Sequence, residues 1–298
     1  MPTSATTAPL ATQLTFELPD DACQRWKYRA HSFRRTSEGG FDPARYRVHA
    51  LPAAPARAFV TTHHYSSSWP AVRMPFGLID RATPGQFGGG ALVGVLALGV
   101  PMHPGVLTGV FPWLAPYAQT LELSRLVLLD EVPANAETWF TKRALRLAAE
   151  QGIRGIVAHS DPQPRVRQTP DGPRQLHVGH VGCVYQAGGM AYLGRTRARR
   201  LTVLPDGSLL PDRAISKIRA GESGHGGAEA RLVAFGARPR AAREPGKEWL
   251  EEALATIGAT VLDHRGNHRY GLQIGPRNER RPLTVTAYPY PRKHQAAS

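Results

Sequence analysis

The chain has 298 residues, of which 42% are hydrophobic and 20% charged, so it can form a core, and an intrinsically disordered protein is excluded. Its formal net charge of +14 favours a polyanionic partner, and nucleic acid fits better than a membrane surface because no basic amphipathic anchor stands out. The two cysteines, Cys23 and Cys183, form neither a disulfide framework nor a CxxC site, which excludes the disulfide-stapled secreted classes.

The first residues and the apolar runs predict a cytoplasmic protein. Residues 1–20 are expected to be a disordered tail, since they lack the basic start and the continuous apolar core of a signal peptide. The richest apolar run, residues 88–100, ends at Pro101 and is shorter than the roughly 20 residues that a membrane-spanning helix needs. We therefore expect no association with a membrane.

The first half of the chain predicts alternating strands and helices. Residues 57–62 are β-branched and aromatic, which indicates a strand. Residues 90–99 and 121–129 are predicted buried strands, and residues 153–158 are another. Apolar positions at helical spacing from residue 139 to the glycine at 152 predict a helix between the last two strands. This order predicts a βαβ unit with parallel strands.

In the second half the predicted elements are shorter. They are a short helix within residues 176–187, paired strands at 190–193 and 200–204, helices at 211–220 and 245–257 with Pro at their first position, and strands at 260–263, 270–274 and 283–286. Residues 221–246 are rich in Gly, Ala and Arg and predict a linker. The expected organisation is a core over residues 21–220, this linker, and a basic helix and strands over 247–298 that complete the fold.

Several polar residues stand at predicted element ends, where sites often form. His64 and Tyr65 follow the first predicted strand, and Asp161 follows a buried one, where it could act as a general base, orient a His or simply cap the loop. The helix that begins near Asn135 and Glu137 could bind a phosphate at its positive end, or Asn135 could be an ordinary N-cap. His177 and His180 have a spacing that could ligate a metal, although no carboxylate lies beside them in the sequence.

Positive charge is concentrated in the C-terminal half. Residues 151–298 carry 23 Lys and Arg against 12 Asp and Glu, whereas the first 150 carry 14 against 11. The cations form two clusters, Arg195, Arg197, Arg199 and Arg200, and Arg269, Arg277, Arg280 and Arg281, the second interleaved with tyrosines. Arginine with tyrosine suits phosphate contact and base stacking, so we favour nucleic-acid binding over a merely solvated surface.

Short phrases along the chain form a familiar series. They are Thr62-His-His-Tyr65, Glu122-Leu-Ser-Arg125, Ala158-His-Ser-Asp-Pro162, His180-Val-Gly-Cys-Val-Tyr-Gln-Ala187, and His268-Arg-Tyr270 with Tyr288-Pro-Tyr-Pro291. Together they resemble the Mom family of phage DNA-modification proteins, relatives of GNAT-type acyltransferases. The resemblance runs from about residue 57 to 293 and implies an α/β fold with a GNAT-like mixed central sheet flanked by helices, followed by a basic C-terminal extension.

The resemblance also implies a chemistry. It predicts an enzyme that adds an acyl or carbamoylmethyl-type group to the N6 amine of adenine in double-stranded DNA, with an acyl donor such as acetyl-CoA, and with iron as an implied metal. The expected catalytic residues are His64, Tyr65, Ser124, Asp161, His180 and Tyr185. The expected coenzyme contacts are Arg125, Asn135, Ala136 and Glu137, and the expected metal ligands are His64 and Asp161.

The chain departs from the family pattern at two places that bear on the substrate pocket. His159 and Ser160 precede Asp161 where an aromatic or small residue and then Ala are expected, and residues 188–190 are Gly-Gly-Met in place of Asn-Trp. Two alternatives therefore remain open. One is a non-catalytic DNA-binding module on an acyltransferase-like scaffold, and the other is a GNAT-like N-acyltransferase that acts on a small or protein amine.

Overall fold

The structure is a computed structural model that describes residues 22–169 and 172–292. The predicted tail at residues 1–20 and the end of the predicted C-terminal part, residues 293–298, lie outside the described residues. None of the described helices is long and apolar enough to cross a membrane.

A seven-stranded mixed sheet forms the centre of the fold. In spatial order its strands are β10 (Ala191–Arg195), β14 (His268–Gln273), β7 (Gly155–Ser160), β6 (Thr120–Leu128), β5 (Gly89–Gly99), β4 (Val72–Gly85) and β3 (Tyr46–Ala50). Every neighbouring pair is antiparallel except β6 and β7, which are parallel. The predicted mixed α/β fold, its apolar strands and its parallel pair are therefore confirmed.

Helix α3 (Ala136–Glu150) joins the two parallel strands and confirms the predicted βαβ unit. It buries Phe140, Ala144 and Ala148 against the sheet, at the spacing of one helical face. Gly152 follows the helix with φ of 91°, a left-handed conformation that glycine adopts without steric cost.

The parallel strands separate towards their carboxyl ends. Their pairing covers only Thr120 to Leu123 of β6 and Gly155 to Ala158 of β7. Beyond these residues β6 continues along β5 and β7 continues along β14. The result is a gap in the middle of the sheet, whose backbone groups have no ladder partner across it.

The predicted strand at residues 57–62 is wrong, because these residues belong to helix α1 (Ala53–His63). Ala56, Phe59 and Val60 are buried at spacings of three and four residues, and they pack on Val95 and Val127 of the sheet. Burial of this helical face outweighs the weak strand preference of a few β-branched residues.

Two hairpins and two short helices complete the main part of the fold. Strands β1 (Ala22–Lys27) and β2 (Ala30–Arg35) form a hairpin, strands β8 (Arg165–Thr169) and β9 (Gly172–His177) form another, and the short helices α2 (Gly105–Thr108) and α4 (Cys183–Ala187) flank the sheet. The predicted helix over 176–187 is thus correct only for α4. Gly179 and Gly182 have φ of 74° and 79°, which a continuous helix cannot contain.

Between β10 and β14 the chain forms a smaller unit with its own core. It contains strands β11 (Arg199–Val203), β12 (Leu209–Leu210) and β13 (Thr260–His264) and helices α5 (Asp212–Ala220), α6 (Gly226–Ala234) and α7 (Gly246–Thr256). Ile218, Leu232 and Trp249 are fully buried in this core. The predicted linker over 221–246 is therefore corrected, since it contains α6 and supplies a core residue.

Other local predictions are also corrected by long-range pairing. The predicted strands at 190–193 and 200–204 exist but do not pair with each other, because β10 pairs with β14 whereas β11 pairs with β12 and β13. Residues 283–286 form no strand. Pro211 and Pro245 stand at the N-cap of their helices and not at the first helical position.

Candidate functional site

A histidine and a glutamate meet at the gap between β6 and β7. The Nδ1 atom of His159 lies 2.8 Å from Oε1 of Glu122, and both side chains are partly exposed. Since an ionised carboxylate only accepts hydrogen bonds, the Nδ1–H group of His159 donates to Glu122. The Nε2 atom of a neutral His159 is then left with a lone pair that can accept a proton.

Arg125 lies beside this pair in the diverging part of β6. Its Nη1 donates to the Ser124 carbonyl at 2.6 Å and its Nη2 to Ser68 Oγ at 2.8 Å, while its Nε is buried with no partner in the described part of the chain. Burial lowers the pKa of Arg125, and the neighbouring Tyr65 and Glu122 oppose that shift. A guanidinium stays protonated in proteins, so Nε–H is an available donor for a ligand.

Two tyrosines complete the inner part of the site. Burial raises the pKa of both Tyr65 and Tyr185, so each is a neutral hydroxyl at pH 7. The Tyr185 hydroxyl lies 3.4 Å from the His159 carbonyl oxygen, to which it donates. The Tyr65 ring lies 5.1 Å from the ring of His177, and Arg165 hydrogen-bonds to its hydroxyl.

A chain of hydrogen bonds fixes the protonation state of His64. It runs from Arg125 through Ser68 Oγ and Ser66 Oγ, 3.1 Å apart, to His64 Nδ1 at 2.8 Å. The Ser66 backbone N–H also donates to this Nδ1 at 3.2 Å, so Nδ1 is an acceptor and the ring proton is on Nε2. Burial holds the pKa of His64 well below its ordinary value. His64 is therefore a neutral donor and is poorly suited to be a base.

Asp161 is fully engaged by its neighbours. Its Oδ1 accepts from His264 Nε2 at 3.0 Å and from the Gln163 N–H at 2.9 Å, and its Oδ2 pairs with Arg165 Nη2 at 3.0 Å. Burial by itself would raise the pKa of Asp161, but Arg165 and these hydrogen bonds outweigh it and hold the pKa below its ordinary value. The carboxylate thus positions Arg165, which in turn holds Tyr65.

The predicted iron ligands do not fit a metal site. Nδ1 of His64 and both oxygens of Asp161 are already bonded to protein groups. Over residues 22–169 and 172–292 no group of three or more His, Cys, Asp and Glu side chains is arranged to hold a metal ion. The ring centres of His177 and His180 lie 5.8 Å apart, and these two residues belong to no such group. We therefore assign no step to a metal.

The predicted coenzyme contacts at the start of α3 lie beside a buried ion pair. The guanidinium of Arg25 is fully buried there, where it pairs with Glu137 and donates to the carbonyls of Val132, at 2.9 Å, and Pro133, at 2.6 Å. Ala136 and Glu137 are buried, and Asn135, although exposed, makes no capping bond with its side chain. The buried side chains of Ala136 and Glu137 offer no contact to a phosphate, whereas Asn135 stays a predicted contact and Arg125 lies at the gap.

The structure brings together five of the six predicted catalytic residues. His64, Tyr65, Asp161, His180 and Tyr185 surround the gap, and burial lowers the pKa of His180 to about 4. Ser124 stands apart in function, because it is the bulged residue of β6 and its hydroxyl donates to the Ala97 carbonyl at 3.0 Å.

Sequence reasoning gave no role to His159, Arg165 or His264. For His159, however, the sequence contained one signal. A glutamate in an apolar strand needs a partner if it is buried, and the histidine at the end of the neighbouring parallel strand could supply it. Nothing in the local sequence marks Arg165 or His264, since they reach Asp161 from a separate hairpin and from the smaller unit.

The model of the Mom protein family matches residues 45–292, which include the whole of this site. The chain belongs to the Mom protein family. This membership supports the DNA-modification role that the sequence predicts. The chain is also similar in structure to a tandem GNAT protein from the clavulanic acid biosynthesis pathway, with 14% identity and a TM-score of 0.34 over 81% of this chain and 92% of that one. No curated protein matches the chain.

In this Mom-family protein most of the predicted nucleic-acid contacts are exposed. They are Arg195, Arg197, Arg199 and Arg200 around the start of the smaller unit, and Arg277, Arg280 and Arg281 after β14. Arg269 differs, because it is half-buried and its Nη2 donates to the Leu193 carbonyl at 3.2 Å. Two of the exposed arginines also have partners, since Arg280 donates to the Gly275 carbonyl at 3.0 Å and Arg200 lies 3.9 Å from an oxygen of Asp263.

Proposed function

We propose that this Mom-family protein is a DNA base-modification enzyme that transfers an acyl or carbamoylmethyl-type group to the N6 amine of adenine in double-stranded DNA. The observation that carries the proposal is the Glu122–His159 pair, which lies where β6 and β7 begin to separate, next to Arg125, whose buried Nε has no partner in the described part of the chain. The pair offers a proton acceptor and Arg125 offers a positive charge, which are the two groups that such a transfer requires.

The adenine amine is a weak nucleophile because its lone pair is delocalised into the ring. A base must therefore take a proton from N6 as the new bond forms, and in our proposal His159 Nε2 takes it. The Glu122 carboxylate holds the ring in this orientation and stabilises the imidazolium that results. Arg125, with the neutral hydroxyls of Tyr65 and Tyr185 nearby, stabilises negative charge that develops on the acyl oxygen. The bond between the acyl carbon and the leaving group of the donor then breaks, and His159 returns its proton to that leaving group, so the base is neutral again.

We place the arm of an acyl donor such as acetyl-CoA along the gap between β6 and β7. Beyond Leu123 and Ala158 the diverging strands leave backbone groups without a ladder partner across the gap. Such groups suit a ligand rich in amides, like the pantetheine arm of the coenzyme, which supplies an activated acyl group when bound. At the start of α3 the side chains of Arg25 and Glu137 pair with each other, so a phosphate of the coenzyme could contact only the backbone or Asn135 there.

The N6 amine of an adenine in duplex DNA takes part in base pairing. The enzyme must therefore approach it through the major groove or flip the base out of the helix. The exposed arginines of the two predicted clusters would hold the backbone by phosphate contacts, which fix position without reading sequence.

Nucleoside analysis tests the proposal directly. Genomic DNA from cells that express the wild-type chain is digested and its deoxyadenosine is examined by mass spectrometry, with cells that express His159→Ala as the control. We expect a mass-shifted deoxyadenosine with the wild type and none with the variant. An unshifted profile from folded wild-type protein contradicts the proposal. If that protein still binds DNA, the result favours the non-catalytic DNA-binding module. If an acylated small or protein amine is found instead, the result favours the N-acyltransferase alternative.

A further inference from the structure

A second cavity opens next to the site, at the outer edge of the central sheet. Its volume is about 390 Å³, and its wall includes two tyrosines, Tyr192 and Tyr290, two arginines, Arg195 and Arg292, and His268. The other described residues that line it are prolines and a valine, and none of them is acidic. Aromatic rings with cations and no carboxylate suit a planar anion.

The wall of the cavity is ordered by backbone pairing. Arg195 and His268 are directly opposite in the antiparallel pair of β10 and β14, so both side chains point to the same side of the sheet. The chain segment 288–292 closes the other side. It is fixed by the Tyr288 N–H, which donates to the Tyr192 carbonyl at 2.9 Å, and by the Tyr290 hydroxyl, which donates to the Met190 carbonyl at 3.0 Å.

His268 presents an unused polar atom to this cavity. The residue is 2% exposed, and its Nε2 has no partner in the part of the chain that the structure describes. Its Nδ1 lies 2.9 Å from the Tyr192 hydroxyl. A buried donor or acceptor without a partner is costly, so this atom points to a ligand.

The Tyr192 hydroxyl connects His268 to the adjacent Arg195. Burial raises the pKa of Tyr192, and Arg195 opposes that shift. Because a phenol oxygen that faces Arg195 can either donate to Nδ1 of His268 or accept from it, Nε2 of His268 offers a proton in one tautomer and a lone pair in the other. The cavity thus combines a buried ring nitrogen, two aromatic rings and two guanidinium groups.

We infer that this cavity binds one nucleotide. A polar atom of the base bonds to Nε2 of His268, the base lies against a tyrosine ring, and Arg195 and Arg292 bind the phosphate. The choice of a nucleotide over another planar anion rests on the proposed function. The nucleotide can come from the DNA, as a base displaced from the duplex, or from the adenine nucleotide of a coenzyme such as acetyl-CoA.

A binding measurement with a mononucleotide tests this inference. The full chain is titrated with 2-aminopurine deoxyribonucleoside 5′-monophosphate and the fluorescence of the base is followed. The double variant Arg195→Ala with Arg292→Ala should raise Kd by about tenfold or more, as expected for the loss of charge-assisted bonds. The control is Arg219→Ala with Arg243→Ala, which removes two exposed arginines outside the cavity and the same charge, and should leave Kd unchanged.

A second variant examines the buried ring nitrogen. His268→Phe keeps an aromatic ring but removes both ring nitrogens, so it should also raise Kd by about tenfold. Thermal melting shows whether this variant is folded. If it is not folded, the arginine variants decide the test. Competition with an oligonucleotide that contains one unpaired adenine, and with adenosine 3′,5′-bisphosphate, identifies the source, and effective competition by either supports the inference.

Two results overturn the inference: equal Kd for the cavity variant and its control, or no binding of the mononucleotide or either competitor by the wild type at millimolar concentration. The assay requires no transfer reaction, so it separates the two proposals. Normal nucleotide binding without modified DNA refutes only the proposed function, and modified DNA with no effect of the cavity variants on binding refutes only the nucleotide site.

Discussion

The imidazole of His159 is oriented by a carboxylate on the neighbouring strand, and this geometry makes a direct kinetic prediction. His159→Ala should lower kcat about 10²- to 10⁴-fold, the usual contribution of a general base. Glu122→Gln keeps an acceptor for Nδ1 but removes the charge, so it should lower kcat with little change in KM for DNA. The rate of modified deoxyadenosine formation measures both, and Glu131→Gln, at an exposed ion pair with Lys27, is the matched control. An unchanged kcat in Glu122→Gln would show that the proton goes elsewhere.

The buried histidines predict how stability depends on pH. Burial lowers the pKa of His177 and His180 to about 4, whereas both titrate near 6.5 in the unfolded chain. The unfolded state therefore binds more protons between these values, and the free energy of unfolding should fall as the pH is lowered from about 6.5 to about 4, by up to about 3 kcal/mol for each residue. Urea unfolding at several pH values measures this. The loss should be smaller in His180→Gln, and a flat curve above about pH 5 would contradict the prediction.

At the level of elements, strand β1 is fastened to helix α3 by a buried ion pair. Removing one partner of such a pair leaves an unpaired buried charge, so Arg25→Met should lower the free energy of unfolding by about 3–5 kcal/mol. The double variant with Glu137→Gln should lose less than the sum of the two single changes. Urea unfolding provides the values, and Lys27→Met, which removes an exposed pair of the same strand, should have little effect. Equal losses in Arg25→Met and Lys27→Met would disprove the structural role of Arg25.

Helix α6 offers the test of whether residues 221–246 are packed. Leu232 is fully buried in the core of the smaller unit, so Leu232→Ala should lower the free energy of unfolding by about 2–5 kcal/mol. Val261→Ala is the control, because Val261 is 54% exposed and its change should be within about 0.5 kcal/mol. Thermal or urea unfolding distinguishes them. A neutral Leu232→Ala would restore the interpretation of this segment as a linker.

For the whole molecule, the exposed arginines predict strongly salt-dependent binding to duplex DNA. Each phosphate contact that is lost should reduce the slope of log K against log salt by about 0.9. The triple variant Arg197→Ala, Arg199→Ala and Arg200→Ala should therefore weaken binding to unrelated sequences alike and reduce this slope by up to about 3. Fluorescence anisotropy at several salt concentrations measures it, with the Arg219 and Arg243 double variant as control. A wild-type affinity that does not decline with salt would refute DNA binding through these residues.

The sequence was informative where one element specifies itself. The run at residues 90–99 is apolar throughout, and α3 repeats apolar residues at helical spacing up to a glycine. The local pattern of apolar residues was therefore enough to predict both elements. The local pattern gave a wrong strand prediction at residues 57–62, because burial of one face of helix α1 decides the structure there. It also misassigned the partners of β10 and β11, since pairing depends on residues far along the chain.

The same distinction holds for the site. The order of short polar phrases was enough to indicate the family and to select His64, Tyr65, Asp161 and Tyr185, because each phrase is local. Only the tertiary structure decided their chemistry. It paired Arg25 with Glu137 at the start of α3, engaged every oxygen of Asp161, and placed His159 against Glu122, because hydrogen bonds between distant segments determine which polar atoms remain unpaired.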